Sequence, residues 1–427
     1  METDTTPARA PADGFAAAYA DDWQLGLKRN DKGNPVGSLH NVVLILSADP
    51  DWKGVIAMDR FSGRILKRRA GPHGGGVGEW SDLDDIRTTL WLSRKHGFEP
   101  QEKIMIKAVE AVAEDNGFHE VQSYLEGLKW DGRSRVEKIG WLSVYLGAEP
   151  TEYHRIAGMR WLISAVARVM EPGQKADHVL ILEGSQGLGK STALRILFGE
   201  YFSDSPLRLG DREAAMIIRG TWGVELGELD SLNRAESTAA KQFFGASDDR
   251  YRSPWGKRPA TVKRQCVFCG STNQTVYLKD ESGNRRYWPV AVARCDKDEL
   301  KADRDQIWAE AVELYRRGEA WYPLEHEFDM FTAEQEKRMV RDVWLEIIRE
   351  WLEKPDAGGT RRDLVTMADI CQHALGLDSR AMSKPEQTRI GQHMARIGGW
   401  SHRQIRIPDS PESARKWVYE RSARKQG

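Results

Sequence analysis

The sequence feature that most constrains the fold is the segment Gly184–Ser191, which follows the pattern G-x-x-x-x-G-K-[ST]. The apolar run Val179–Leu182 precedes it and is typical of a buried strand, while Lys190–Phe198 has the apolar spacing of a helix. Between a strand and a helix, such glycines let backbone N–H groups surround a phosphate, and the helix N-terminus adds a positive partial charge. The segment therefore predicts a phosphate-binding loop.

This loop predicts the binding of ATP together with Mg²⁺. We expect the nucleotide to contact Gly184, Ser185, Gln186, Gly187, Leu188, Gly189, Lys190, Ser191 and Thr192. Within this set, Lys190 is expected to reach the β- and γ-phosphates, and the Ser191 hydroxyl is expected to ligate Mg²⁺. The alternative is a chance match to the pattern, which the flanking strand and helix disfavour.

Carboxylates follow a second strand-like run, Trp222–Leu226, and the candidates there are Glu225, Glu228 and Asp230. One carboxylate is expected to hold Mg²⁺ through water, and another is expected to polarise the attacking water. Strand alternation places Glu225 and Glu228 on opposite faces, so their roles should differ. We place both at the metal and assign catalysis to Glu228, because it lies beyond the strand end. A solvated turn with three acids is the alternative.

Two further polar segments are candidates for catalysis. Asn273 follows the apolar strand that contains Cys266 and Cys269, and an Asn at a strand end can orient the attacking water. Ordinary turn chemistry also places Asn there. Arg285 and Arg286 precede another apolar strand, and one guanidinium could stabilise the γ-phosphate of a neighbouring subunit. A surface pair or an internal salt bridge explains the two arginines equally well, and we favour Arg286 as the finger only narrowly.

A basic segment with interleaved aromatic residues follows the acidic strand. Its candidate nucleic-acid contacts are Lys241, Arg250, Tyr251, Arg252, Trp255, Lys257 and Arg258. Arginine and lysine bind phosphates, and aromatic rings stack on bases, so the segment predicts an interface with single-stranded DNA. A solvated basic hairpin is the alternative. The C-terminal 28 residues also carry an excess of basic side chains, which is weaker support for a nucleic-acid contact.

Composition limits the remaining possibilities. The chain has 427 residues, of which 40% are hydrophobic, and its net charge of −1 does not by itself indicate a partner. No run of about 18 apolar residues is present, so no membrane span is expected. The N-terminal residues do not have the pattern of a signal peptide, and four cysteines are too few for a disulfide scaffold. We therefore expect a cytoplasmic protein in which Cys266 and Cys269 are core residues.

Alternation of strands and helices after residue 178 predicts a parallel sheet with helices on its faces. Within it, Thr261–Phe268 is expected to be one strand. Elsewhere, the apolar run Asn41–Ser47 predicts a strand, and Val136–Leu146 and Glu334–Leu352 each predict a helix. The last 90 or so residues predict helices followed by a β-pair. We expect a flexible lead-in over 1–38, a mostly helical domain over 39–150, a nucleotide-binding domain over 151–325 and a helical, winged-helix-like module over 326–427.

Taken in order, these segments resemble the virulence-associated protein E family of phage and mobile elements, which is of the superfamily 3 helicase type. The resemblance covers about 110 residues, and Tyr124–Arg135 is also similar to the segment before the ATPase in that family and in poxvirus-type primase-helicases. Its remaining segments are Gly184–Ser191, Trp222–Asp230, Lys241–Phe244, Asp249–Gly256, Gly270–Asn273 and Gly283–Val290. Trp255 stands where the family pattern leads us to expect Tyr.

The resemblance implies an α/β, AAA+-like P-loop ATPase that assembles into a ring, probably hexameric in the family, with ATP bound between subunits. It implies that Lys190 and Ser191 are Walker A residues and that Glu225 and Glu228 are in the Walker B segment. It further implies that Asn273 is sensor 1. Arg285 or Arg286 corresponds to the arginine finger, and the basic segment corresponds to the pore-facing motif that grips single-stranded DNA.

The expected function is therefore an ATP-dependent DNA helicase or translocase in phage, prophage or mobile-element replication. A separate primase or host replication proteins are expected partners, because the first 150 residues show no acidic primase constellation. A small-molecule P-loop kinase is an alternative, although a kinase does not need the basic aromatic segment. A nucleotide-regulated DNA-binding initiator or interference factor without helicase activity is the other alternative.

Overall fold

A computed structural model describes residues 22–207, 214–227, 234–251, 260–278, 284–340, 342–355, 359–406 and 415–422. The chain divides into two compact units, Met1–Arg338 and Met339–Gly427, which are described separately below. Among the described helices, none combines the length and the apolar character that crossing a membrane requires.

Helices and a small antiparallel sheet form the beginning of the first unit. The elements are α1 (Leu39–Ala48), β1 (Ile56–Asp59), β2 (Arg64–Lys67), β3 (Gly78–Glu79), α2 (Asp82–His96), α3 (Glu102–Asp115), α4 (Glu120–Gly127) and α5 (Trp141–Leu146). Strand β2 pairs with both β1 and β3. The buried faces of α1 and α3 share one hydrophobic cluster, so this region has a core of its own.

The strand predicted at Asn41–Ser47 is wrong, because these residues belong to helix α1. Ser38 begins the helix by accepting a hydrogen bond from the backbone N–H of Asn41. The buried Asn41 side chain bonds to the carbonyl oxygens of Lys28 and Val36, each at 2.8 Å. A short run that is apolar all round has no period that separates a buried strand from a buried helix, and here the N-cap decides the outcome.

A five-stranded parallel sheet forms the centre of the first unit, as the alternation of strands and helices predicts. The elements are α6 (Glu152–Met170), β4 (Val179–Glu183), α7 (Lys190–Phe198), β5 (Phe202–Ser203), α8 (Ala214–Ile217), β6 (Gly223–Leu226), α9 (Arg234–Gly245), β7 (Asp248–Tyr251), β8 (Ala260–Lys263), β9 (Val267–Thr272), β10 (Tyr287–Ala291), α10 (Lys297–Arg316) and α11 (Phe328–Lys337). The spatial order of its strands is β10, β4, β9, β6, β5, and β7 and β8 form a separate antiparallel hairpin.

Buried aromatic side chains fix α7 and α10 against this sheet. The rings of Trp222 and Trp308 have centroids 4.2 Å apart, and Phe198 at the end of α7 packs on both. The indole N–H of Trp308 donates to the carbonyl of Leu197 at 2.8 Å, so the aromatic packing also satisfies a polar group. This cluster holds the helix that follows the glycine segment.

Three predicted elements are shorter than the sequence pattern suggested. The helix predicted at Val136–Leu146 contains only α5, because the buried Glu310 carboxylate accepts from the backbone N–H groups of Val136 and Glu137 at 2.8 and 3.0 Å. The strand predicted at Thr261–Phe268 is divided between β8 and β9, and the buried Arg264 between them pairs with Asp249.

The helix predicted at Glu334–Leu352 is two helices, α11 in the first unit and α12 (Val343–Glu353) in the second. Arg338 follows the end of α11, where its guanidinium pairs with the carboxylates of Glu183 and Glu334. Asp342 starts α12 by accepting from the backbone N–H of Trp344 at 3.0 Å. A continuous apolar pattern therefore spans a real break in the chain.

The second unit begins with α12 and contains helices and a three-stranded antiparallel sheet. Its other elements are β11 (Leu364–Thr366), α13 (Met367–Asp369), which continues into a π-helical segment (Ile370–Ala374), α14 (Lys384–Ile397), β12 (Trp400–Arg406) and β13 (Arg415–Arg421). In the sheet, β13 lies between β11 and β12. Ile348, Ile390 and Tyr419 belong to its hydrophobic cluster.

Replacing Trp308 with Ala should lower the free energy of unfolding by about 3–5 kcal/mol, since the side chain is fully buried between α7 and the sheet. Tyr322→Ala is the control, because that ring is 51% exposed, and its effect should stay within about 0.5 kcal/mol. Chemical denaturation followed by tryptophan fluorescence and circular dichroism measures both. Equal effects of the two substitutions would show that the aromatic cluster is not a main source of stability.

Candidate functional site

The glycine segment 184–189, called the glycine loop below, joins β4 to α7 at the carboxyl end of the parallel strands. Gly187 and Gly189 have φ angles of +85° and +89°, which other residues adopt only with strain. A Cβ atom on Gly189 would also lie 2.4 Å from Cε of Lys297, the first residue of α10. Both its conformation and its surroundings therefore require glycine at position 189.

Lys190 begins α7, and its side chain turns back over the glycine loop. Its ammonium donates to the carbonyl oxygens of Gly184 at 2.7 Å and of Ser185 at 2.9 Å. Burial lowers the pKa of Lys190, while Cys295 and Glu225 act in the opposite direction. The sequence prediction thus places the lysine at the loop, where the structure also has it.

Two serine hydroxyls share one buried carboxylate beside the loop. Ser191 Oγ and Ser271 Oγ each donate to Oε1 of Glu225 at 2.7 Å. Ser191 lies in the first turn of α7, whereas Glu225 and Ser271 come from the neighbouring strands β6 and β9. This triad, Ser191–Glu225–Ser271, is called the hydroxyl–carboxylate cluster below. Its oxygen ligands are of the type that Mg²⁺ prefers.

The sequence did not single out Ser271, although the segment Gly270–Asn273 was noticed. Ser271 faces Glu225 because it is two residues beyond Cys269, which pairs with Glu225 in the sheet. Asn273 is exposed and lies directly after β9. Glu228 and Asp230, the other acidic candidates, lie outside the described residues. The catalytic assignment to Glu228 therefore stays a prediction.

Lys297 is a second residue that sequence reasoning missed. Its side chain lies against the glycine loop at Gly189, and Cys295 is close to the same glycine. Lys297 is also the first residue of α10, where the helix dipole disfavours a positive charge. A lysine kept at such a position beside the loop indicates an anion-binding role.

A buried ion-pair network supports the strand that leads into the loop. Glu183, the last residue of β4, accepts from Arg338 Nη2 at 2.8 Å and from the Tyr277 hydroxyl at 2.8 Å. Burial and the Glu183 charge raise the pKa of Tyr277, so its proton stays in place. The carboxyl end of β4 is thereby fixed from the side opposite Lys190 in the chain.

The two arginines at the start of β10 differ in their surroundings. Arg286 is largely buried, and its Nε lies 3.3 Å from Oδ2 of Asp177 without an aligned hydrogen bond. Arg285 is exposed. Beside the pair, His178 stacks on Trp288 with ring centroids 4.3 Å apart, and burial lowers the pKa of His178 to about 4. Arg286 therefore has a structural partner within its own chain.

The candidate nucleic-acid residues are only partly within the described chain. Lys241 lies in α9, and Arg250 is exposed on β7, next to Tyr251 at the strand end. The remaining candidates, Arg252, Trp255, Lys257 and Arg258, lie outside the described residues. At the base of the β7–β8 hairpin, Arg264 pairs with Asp249 and stacks on Phe243, which anchors the hairpin to α9.

Cys266 and Cys269 are buried free thiols, which confirms their prediction as core residues. Burial raises the pKa of both thiols, so they stay protonated. Within the described part of the chain, no group of three or more His, Cys, Asp or Glu side chains is arranged to hold a metal ion. A Mg²⁺ ion needs no such group, because phosphates and water complete its shell.

These features define an α/β protein in which a glycine loop and a buried acidic strand meet at the carboxyl edge of a parallel sheet. The chain belongs to the virulence-associated protein E-like family. The model described as "Virulence-associated protein E-like domain" matches residues 125–340, which include the loop, the cluster and the arginine pair. The family suspected from the sequence motifs is thereby confirmed.

Solved structures agree at the level of fold. The A form apo structure of the NrS-1 C terminal region has a TM-score of 0.50 and 11% sequence identity, over 86% of this chain and 96% of that one. Another apo structure of that region has the same identity and coverage with a TM-score of 0.43. At this identity the similarity concerns the fold alone. No curated protein matches the chain.

Arg286→Ala should lower the free energy of unfolding by about 1–3 kcal/mol, since it leaves the buried Asp177 carboxylate without its partner. Arg285→Ala is the matched control and should change stability by less than about 0.5 kcal/mol, because Arg285 is exposed. Denaturant titration of the two variants measures the difference. A neutral effect of Arg286→Ala would mean that the ion pair contributes nothing.

Proposed function

We propose that this protein is an ATP-dependent DNA helicase or translocase of phage, prophage or mobile-element replication. The observation that carries the proposal is the contact of Ser191 with the buried Glu225 beside a glycine loop that Lys190 covers. A hydroxyl, a carboxylate and an ammonium group in this arrangement are the groups that P-loop ATPases use to bind MgATP. Family membership supports the link to phage and mobile elements.

Ser191 and Glu225 are suited to hold Mg²⁺, which would neutralise charge on the phosphates when bound. The chain's own groups account for the remaining steps. The Lys190 ammonium exchanges its contacts with the carbonyls of Gly184 and Ser185 for phosphate oxygens. Lys297 adds a second positive charge at the loop. Glu228 polarises the attacking water, and Asn273 orients it.

The topology of the sheet supports an AAA+-like core. Numbered by their order in the chain, the parallel strands have the spatial order 5-1-4-3-2, with the glycine loop after the first strand. Ligands of open parallel sheets bind at the carboxyl ends of the strands, where the strand order reverses. In AAA+-like proteins the ATP site lies between subunits. We therefore propose a homo-oligomeric ring, probably hexameric as in the resembling family, that acts in the cytoplasm.

Arg285 is the better candidate for an arginine finger that reaches a neighbouring subunit. It is exposed, whereas Arg286 is occupied by Asp177 in its own chain. This reverses the narrow preference that the sequence gave to Arg286. An exposed guanidinium is able to contact the γ-phosphate of the next subunit, and rigid attachment to β10 limits the entropy that it loses.

The basic segment and the C-terminal unit complete the proposal. We propose that Lys241, Arg250 and the basic residues after β7 bind single-stranded DNA. The C-terminal unit is proposed to be a winged-helix-like module, because its elements follow the order helix, strand, two helices, two strands. Its third strand pairs between the other two, which supports this interpretation. A separate primase or host replication proteins are the proposed partners.

Lys190→Ala should reduce ATP hydrolysis by at least about 10²-fold, since it removes a charge that stabilises the transferred phosphoryl group. Lys301→Ala, on the exposed side of α10, is the matched control and should retain the parent rate. Steady-state phosphate release with single-stranded DNA measures both. Hydrolysis at the parent rate by Lys190→Ala would contradict a catalytic loop. A parent protein without any turnover in DNA would favour the non-helicase initiator.

Mixing Arg285→Ala protein with Lys190→Ala protein should restore part of the ATPase activity that each lacks alone. Some interfaces then pair an intact loop with an intact finger, and a finger is worth on the order of 10³-fold in rate. The same mixture made with Arg286→Ala is the comparison, and we expect it to show no special recovery. If no mixture recovers activity while all variants assemble, the arginines do not act between subunits.

Lys241→Ala combined with Arg250→Ala should weaken binding of single-stranded DNA and lower the log–log salt slope by about 1.4, or about 0.7 for each lost phosphate contact. Basal ATPase should persist. Lys103→Ala combined with Lys107→Ala, two exposed lysines of α3, is the control for loss of charge. Fluorescence anisotropy at several salt concentrations gives the slopes. Equal slopes for the two double variants would remove this segment as a DNA contact.

A further inference from the structure

An open groove of about 510 Å³ lies between α14 and the β12–β13 hairpin of the second unit. Lys384, Gln387, Thr388 and Gly391 line it from the helix, and His402 and Tyr419 line it from the strands. No acidic side chain is among the residues that line the groove. The groove is far from the glycine loop in sequence, and none of the functions above uses it.

Helix α14 has one buried face and one polar face. Ile390, His393 and Met394 are buried, whereas Lys384, Gln387 and Thr388 are exposed. The acidic residue of the first turn, Glu386, is engaged as the capping-box partner of Ser383. The exposed face therefore offers amide and hydroxyl groups with a lysine at its N-terminal end, on a rigid scaffold.

The hairpin beside this face is basic and carries an exposed aromatic ring. Its two strands contain five basic residues and one acid, Glu420, which pairs with Arg403. Trp417 is 55% exposed, and His402 packs between Trp417 and Tyr419 with ring centroids 4.7 and 4.6 Å away. Such a surface favours a polyanion over an acidic or apolar partner.

We propose that this groove binds double-stranded DNA, with α14 in the major groove and the hairpin along the backbone. Fourteen residues make a helix of about 21 Å, which fits across a major groove that is about 12 Å wide. Gln387 and Thr388 then face base edges, where amides and hydroxyls read the donor and acceptor pattern. Lys384 contacts a phosphate. This function is independent of ATP hydrolysis and of the single-strand contacts proposed above.

Duplex DNA fits the groove better than a single strand does. Gln387 and Thr388 lie one after the other on a helix with no aromatic residue between them, so the helix offers no stacking platform for splayed bases. The aromatic rings of His402 and Tyr419 are already stacked on each other, which leaves only Trp417 for a base. Direct readout by polar side chains requires the paired base edges of a duplex.

The test uses the full-length protein and the variant Lys384→Ala/Gln387→Ala/Thr388→Ala. Fluorescence anisotropy measures its affinity for a 30-base-pair random-sequence duplex and for a single strand of the same length. Duplex affinity should fall about tenfold or more, and its salt slope should fall by about 0.9, while single-strand affinity and ATPase activity stay at the parent level. Selection from a random duplex pool should yield a motif for the parent that the variant loses.

The control is Arg349→Ala/Lys354→Ala, which removes two exposed basic residues from α12 and its C-terminus. It should leave duplex affinity within twofold of the parent. The proposal is overturned if duplex affinity is unchanged in the triple variant or falls equally in the control. It is also overturned if the triple variant loses single-strand affinity instead, since the groove would then bind unpaired bases. Circular dichroism melting verifies that both variants fold.

Discussion

The arrangement of the whole site depends on one buried carboxylate. Glu225 is almost fully removed from water, and an unsatisfied carboxylate in such a place costs several kcal/mol. Ser191 and Ser271 satisfy it from α7 and β9, each at 2.7 Å. The hydroxyl–carboxylate cluster therefore links the first turn after the glycine loop to two neighbouring strands. Any shift of α7 relative to the sheet would leave the carboxylate without its donors.

The surrounding structure keeps α7 in this position. On its far end, Phe198 packs on Trp222 and Trp308, and the indole of Trp308 bonds to the backbone of α7. On the strand side, Arg338 and Tyr277 fix Glu183 at the end of β4. The loop between these two anchors is then held open by glycines whose conformation other residues avoid. Rigid supports around a flexible-looking loop are what a preorganised anion site requires.

Sequence reasoning succeeded where local signals agree with the tertiary structure. The helix α7 was predicted with its observed bounds, because a glycine loop precedes it and its apolar residues recur at helical spacing. It failed at Asn41–Ser47, where every neighbour is apolar and a capping serine outside the run decides the outcome. It also failed at Glu334–Leu352, because the break depends on Arg338 pairing with a distant carboxylate.

The site was predictable to a similar degree. Lys190, Ser191 and Glu225 were found because a motif and a strand end carry them. Ser271 and Lys297 were not, since their approach to the loop depends on strand pairing and on the packing of α10. The choice between the adjacent Arg285 and Arg286 likewise needed the position of Asp177, which no spacing rule supplies.

The central claim is that Ser191 and Glu225 bind the metal of a MgATP complex. Its most direct measurement is the affinity for a non-hydrolysable ATP analogue by calorimetry, with and without Mg²⁺, in the parent protein and in Glu225→Gln. The account predicts that Mg²⁺ increases the affinity of the parent by about tenfold or more, and that the substitution removes most of this gain while affinity without Mg²⁺ is unchanged. The same gain from Mg²⁺ in both proteins would contradict it.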